Sequence, residues 1–133
     1  MLIGKDLIER LHKEACLSDR LRINYDLRSE GDEISLRLLT VMEPGTIVPV
    51  HRHKDSDEFF VVLSGTIEER FYHDDGSLKE SFLISVGGKI CSMIIPKGQW
   101  HNVVVKEPCT EIVECRRGPY VPLQPEDVFN IQI

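Results

Sequence analysis

From Ile34 onward the chain is a succession of short runs rich in Val, Ile, Leu and Phe, separated by Gly, Pro and Asp-Gly signals, with no helical pattern between them. Such runs predict strands near residues 34–43, 47–53, 58–64, 66–73, 79–86, 90–95, 100–106 and 110–116. Seven or eight short antiparallel strands without intervening helices give a sandwich or barrel, not a parallel α/β sheet. The sharpest turn signal is Tyr72-His73-Asp74-Asp75-Gly76-Ser77, where Asp-Gly supplies the positive φ angles of a tight hairpin.

The ends of the chain differ from this pattern. Over residues 5 to about 17, Leu7, Ile8, Leu11 and Ala15 fall at helical spacing, with Glu9, Arg10, Lys13 and Glu14 on other faces. This predicts a short amphipathic helix packed on the main body. Between Gly118 and Asp127 three prolines rule out a central strand and predict an extended arm. The expected organisation is one domain: helix and connector over 1–33, a β-barrel over 34–117, and the arm over 118–133.

With 16 Lys+Arg against 22 Asp+Glu, the chain carries a net charge of −6. Nucleic acid and anionic membranes need a basic face, so the expected partner is a small-molecule ligand, with no nucleic acid and no membrane. No apolar run approaches the ~20 residues of a membrane span. The N-terminus meets charge at Lys5 and Asp6 and lacks the apolar stretch of a signal peptide, which predicts a cytoplasmic location. There the four cysteines, Cys16, Cys91, Cys109 and Cys115, are expected as reduced thiols. Exposed barrel edges and the N-terminal helix predict a homodimer.

The chemistry-bearing residues converge on one constellation. In an extended segment residues two apart share a face, so His51 and His53 can aim their rings at one point. A turn through Lys54-Asp55-Ser56-Asp57 can return Glu58 beside them, and Pro96-Lys97-Gly98-Gln99-Trp100-His101 introduces a third imidazole on a later strand. Three histidines and a glutamate suit one divalent transition metal, iron, manganese, zinc, nickel or copper, and suit calcium or magnesium poorly. On an octahedral ion four ligands leave two positions for substrate, water or dioxygen. Glu58 is then a ligand, and no other residue stands out as an acid or base. His12 and His73 read as surface residues. Trp100 aims away from its neighbour His101, and of Glu111 and Glu114 only one parity can face the barrel.

Gly45, five residues, His51-x-His53, four residues, Glu58, six residues and Gly65 resemble the first signature of the cupin superfamily at every fixed position. Pro96-x-Gly98-x-x-His101 resembles the second, with Ile90 and Val105 where that pattern has glycine and asparagine. The passages Leu38–Thr46, Glu107-Pro108 and Glu114–Tyr120 further resemble the WbuC-type cupin-fold metalloproteins, small bacterial cupins of which some are associated with surface-polysaccharide gene clusters. The resemblance implies an all-β, single-domain cupin, a double-stranded β-helix or jelly-roll barrel with a short N-terminal α-helix. It also implies that Arg22, Asn24 and Arg37 lie near the barrel mouth as substrate-binding residues. The function expected is metal-dependent action on a small carbohydrate-like or oxyacid molecule, as an oxygenase, isomerase or lyase; the alternative is a non-catalytic binding or sensing module.

Overall fold

The structure is a computed structural model and describes residues 1–30 and 34–129. Residues 31–33 of the expected connector and 130–133 of the expected arm lie outside the described residues. Helix α1 spans Lys5–Leu17 and buries Leu11 and Ala15. Its opposite face carries the exposed i,i+4 pairs Lys5–Glu9 and Arg10–Glu14. Pairs of this kind add only a few tenths of a kcal/mol each, so tertiary burial stabilises the helix.

Eight strands follow: β1 Arg22–Asp26, β2 Ser35–Met42, β3 Glu58–Ser64, β4 Thr66–Tyr72, β5 Leu78–Ser85, β6 Ser92–Ile95, β7 Trp100–Val105 and β8 Thr110–Arg117. They form two antiparallel sheets, one in the order β1-β2-β8-β3-β6 and the other in the order β5-β4-β7. Between the sheets lies an apolar core of Met42, Phe60, Val62, Ile67, Ile84, Ile95, Val105 and Ile112. Full burial of side chains this size contributes about 1.5–3 kcal/mol each. A second cluster joins Leu11 and Ala15 of α1 to Leu39 and Val41 on the outer face of β2. Strand β2 is therefore buried on both faces, and Leu38–Met42 are all buried in succession. This is the single-domain cupin architecture, mostly β with one short helix.

Two segments depart from the sequence-based strands. Residues 47–53 are not a strand: only His51 makes β-bridges, to His101 on one side and to Val128 on the other. Pro49 removes a donor from that stretch, and the prolines of the tail limit what the other neighbour can pair. Conversely, the expected connector contains β1, paired along its whole length with β2. Its Arg22-Ile23-Asn24-Tyr25-Asp26 sequence is that of a charged edge strand, which lacks the apolar run by which strands are recognised. The β4–β5 hairpin lies where Asp-Gly placed it, but only Gly76 takes a positive φ, +87°. Asp75 instead accepts hydrogen bonds from the Ser77 backbone N–H and hydroxyl.

The glycines framing the histidine segment serve the backbone. At Gly65, between β3 and β4, φ is +81° and a Cβ would lie 2.3 Å from Thr110 Oγ1 and 2.9 Å from Thr110 Cα. Gly45 has φ +95°, with Leu21 Cδ1 at 3.3 Å from its would-be Cβ. Any side chain at either place meets both strain and a neighbour. All four cysteines are free. No helix among the described residues is long and apolar enough to cross a membrane.

Candidate metal centre

The structure brings His51, His53, Glu58 and His101 together, with one potential ligand atom from each lying within 4.8 Å of the others. Three separate pieces of backbone deliver them. Glu58 opens β3, and His101 is the second residue of β7. The His51 segment is fixed to β7 by reciprocal backbone hydrogen bonds, His51 N–H to His101 O at 3.0 Å and His101 N–H to His51 O at 2.9 Å. The His53 carbonyl accepts from the Gly98 N–H at 2.7 Å, which ties the two motifs together a second time. The His51 and His53 rings converge, centroids 5.1 Å apart, although the segment carrying them is no regular strand.

The intervening residues face the other way and fasten the loops from outside. Arg52 lies over the Trp100 ring at 4.5 Å and pairs with Asp127 at 3.1 Å. Trp100 also meets Phe129 edge-on with centroids 5.0 Å apart, and the Phe129 N–H donates to Val50 O at 2.8 Å. The tail, with a 3₁₀ turn at Pro125–Asp127, thus braces the histidine segment through the Asp127 ion pair and backbone bonds, and packs Phe129 on Trp100.

Carbonyls fix two of the imidazole tautomers. His51 Nδ1 lies 2.8 Å from Pro49 O, and His101 Nδ1 lies 2.9 Å from Gln99 O. A carbonyl only accepts, so both Nδ1 atoms carry protons, and in the neutral rings the Nε2 lone pairs turn inward. His51 is held neutral, its pKa pushed down to about 3, first by burial and then by the neighbouring His101. His53 differs, because its Nδ1 faces the Arg116 guanidinium at 3.2 Å. In the middle sits Glu58 Oε2, buried and receiving no hydrogen bond, 3.2 Å from His53 Nε2 and 3.3 Å from His101 Nε2. Burial pushes the Glu58 carboxyl up, but His101, His53 and Glu114 outweigh it and hold the group well below the usual carboxylate range. An ionised carboxylate oxygen facing the His101 lone pair is repulsive unless a cation lies between them. The donor set therefore fits a metal ion, and imidazole with carboxylate suits a transition metal.

These groups open onto a cavity of about 220 Å³ that Arg22, Asn24, Glu69, Glu114 and Arg116 also line. Glu69, on β4, is buried with Oε1 unpartnered; burial, then the charges of Glu58 and Glu114, raise its pKa well above the usual range. Glu114 is raised as well, by burial and then by Glu58, and Thr40 donates to its Oε1 at 3.4 Å. Two carboxyl groups with raised pKa thus stand beside one held low.

The first 84 residues decide the family. Residues 3–84 match DUF6016, a domain of unknown function. The chain belongs to the DUF6016 family. No curated protein matches this DUF6016 chain. Among solved structures it is similar to KdgF from Halomonas sp., at TM-score 0.60 and 15% identity over 74% of this chain and 82% of that one. It is also similar to a cupin-2 domain protein from Shewanella frigidimarina, at TM-score 0.51 and 23% identity over 74% and 80% of the two chains. A third is an oxalate oxidase solved with the substrate analogue glycolate, at TM-score 0.57 and 17% identity over 78% and 54%. At these identities the likeness is one of fold, and the fold is that of the cupins. Together with the His/Glu cluster it supports a metal-binding cupin.

Of the residues expected at the mouth of this DUF6016 barrel, Arg22 and Asn24 line the cavity and Arg37 does not. On β2 the cavity is lined by Leu38, Thr40 and Met42, so Arg37 takes the opposite parity. Asn24 Oδ1 accepts from the Thr40 hydroxyl at 3.0 Å. The cavity-lining carboxyl groups that sequence reading left unassigned are Glu69 and Glu114. Glu114 was legible only as a parity question, which pairing with Phe60 and Leu38 resolves. Glu69 stands next to another glutamate on β4, and period-two alternation sends Glu68 outward and Glu69 inward. His12, read as a surface residue, bonds to the buried Glu43.

Proposed function

We propose that this protein is a metal-dependent cupin of the WbuC type in which His51, His53, Glu58 and His101 hold one divalent transition metal, and that its cavity binds and transforms a small carbohydrate-like or oxyacid molecule. The observation that carries the metal assignment is the buried Glu58 Oε2 without a donor, faced by imidazole nitrogens at 3.2 and 3.3 Å. Such an ion supplies Lewis acidity or redox chemistry at positions its protein ligands leave open. The chain's own residues supply the rest. Glu69, its pKa raised by burial, offers a proton or a hydrogen bond inside the cavity, Glu114 lies against Glu58, and Asn24 and Arg22 stand at the wall. These carboxyl groups favour an enzyme over a passive binding module, because a site that only stores a ligand has no need of a buried, unpartnered acid. Glycolate in the oxalate oxidase neighbour supports the oxyacid option. The WbuC assignment rests on the sequence passages from Leu38 to Tyr120.

Elemental analysis of protein purified without added metal tests the centre. About one equivalent per chain is expected, falling below about a tenth in His53→Ala and Glu58→Ala, since loss of one of four ligands removes most of the affinity. Equal metal content in all three proteins would sink the assignment. Anaerobic loading with iron, followed by oxygen uptake with small hydroxy acids and sugars, then separates oxygenase chemistry from isomerase or lyase chemistry. Apolar side chains exposed on the outer face of β3 and β6, Phe59, Leu63 and Ile94, support the homodimer we propose. Sedimentation equilibrium reads it directly.

A further inference from the structure

The cavity wall carries three arginines, Arg20, Arg22 and Arg116, in a chain whose net charge is −6. Arg20 is exposed and makes no ion pair among the described residues. Arg22 is half-buried and spends only Nη1, donating to Thr46 Oγ1 at 3.1 Å and Ile47 O at 2.8 Å. Its Nε and Nη2 have no partner among the described residues. Arg116 is buried at Nε without an acceptor. Among the described residues none of the three makes an ion pair with the acids that share the cavity, and Glu58 belongs to the metal cluster.

Backbone geometry places two of the arginines together. Between them Leu21 adopts φ +54°, a left-handed conformation that L side chains rarely take. It is pinned by its own N–H to Ser18 O at 3.0 Å and by the Glu43 N–H to Leu21 O at 2.9 Å. The turn so held leaves both arginines on the cavity wall, close enough that burial and then the charge of Arg20 lower the pKa of Arg22. Like charges brought together without a counter-ion, by a backbone turn that is itself unfavourable, make a site for an anion.

We propose that Arg20 and Arg22 form an anion-binding subsite at the mouth of the cavity, so that the ligand is a small hydroxylated molecule carrying a carboxylate or phosphate at the end away from the metal cluster. This rests on the metal-centre reading for the inner end alone. A cavity of about 220 Å³ admits a molecule of roughly monosaccharide size. The arginine forks match either anion, and two unspent donors on Arg22 allow a bidentate grip.

Calorimetric titration of metal-loaded protein with D-glucose, D-glucuronate and D-glucose 6-phosphate tests the subsite, the last two separating carboxylate from phosphate. At least one acid is expected to bind about tenfold or more tightly than glucose. Arg20→Gln, which disturbs no bond in the fold, is expected to reduce that preference to about twofold or less while leaving metal content unchanged. Equal binding of acid and neutral sugar, no binding of either acid, or a preference that survives Arg20→Gln would each overturn the proposal. Metal content measured on the same samples separates the two readings. A metal-free protein that still prefers the acid defeats the metal centre alone, and a loaded protein without preference defeats the subsite alone.

Discussion

Two buried glutamates, each beside histidine, do opposite things in this molecule. Glu43 lies between α1 and the sheet, and both its oxygens receive donors: His12 Nδ1 at 2.5 Å from Oε1, and the Cys109 N–H at 3.2 and 3.1 Å from Oε1 and Oε2. Cys16 completes the group, with Sγ 4.0 Å from His12 Nδ1. It remains a thiol, because desolvation and the Glu43 carboxylate push its pKa up. Cys109 is pushed to about 11 by burial, then by Glu111 and Glu43. By residue type this trio also has the makings of a metal site. Yet its carboxylate is satisfied and its one thiol, Cys16, is held protonated, so it works as a latch between helix and barrel. At Glu58 the His101 nitrogen, 3.3 Å away, offers a lone pair where Glu43 has N–H groups. The direction in which the partners' protons point, more than the ligand count, separates a metal centre from a structural hydrogen-bond cluster.

The widest separation between the two is in metal content. Glu58→Ala is expected to lower bound metal by about tenfold or more, and Glu43→Ala to leave it at the wild-type value. Metal lost equally from both variants would erase the distinction. In stability the order reverses. Glu43→Ala strands the Cys109 N–H and the His12 ring, and should lower the free energy of unfolding by about 1–3 kcal/mol in urea titrations, with Glu43→Gln milder because it keeps an acceptor.

A third carboxyl, Glu69, sharpens the contrast by having neither donors nor facing lone pairs. Its folded pKa is raised above the unfolded value of 4.5, so the folded protein holds a proton that the unfolded chain releases. Stability contributed by this group is complete below about pH 4.5 and is lost as pH rises. Glu69→Gln, neutral at every pH, should therefore gain on wild type between pH 5 and pH 8 in paired urea melts. A gap that does not change with pH would show Glu69 ionised in the fold.

The smallest effect belongs to Glu68, the outward neighbour, paired with Arg70 at 2.8 Å, Ser81 at 2.7 Å and Lys106 at 3.3 Å. Arg70 first, then Ser81, draw its pKa down to about 2 against opposing burial. The stabilisation is present above the unfolded value of 4.5 and is lost as pH falls toward 2. Solvent screening holds it to about 1 kcal/mol, and Glu68→Gln should flatten that acid limb by the same amount.

Much of the fold was legible because hydrophobic period and turn chemistry agree along most of the chain. Helix α1 runs over Lys5–Leu17 as its apolar spacing predicts, and the strands from β3 to β8 lie within a residue or two of the apolar runs. The constellation at residues 51, 53, 58 and 101 was legible because fixed spacing reports on backbone geometry. What escaped was set by tertiary partners. Arg22–Asp26 is a strand because β2 accepts it, not because its residues favour one. The 47–53 segment stays irregular because its two neighbours offer one bridge each. Glu69 and Glu114 look like ordinary surface charges until sheet register turns them inward, and His12 looks solvated until β2 brings Glu43 beneath it.

Strand β8 lies between β2 and β3, pairing Ser35 with Arg117 and Glu58 with Arg116 across most of the chain's length. During synthesis neither β2 nor β3 can find its central neighbour until residue 117 has been made, so the β1–β2 and β3–β6 pairs join into the larger sheet late. Contacts this distant in sequence slow folding. They also mean that a nascent chain carries His51, His53 and Glu58 well before it has a pocket to put them in, so a metal ion bound there would enter only after barrel closure and would report on it.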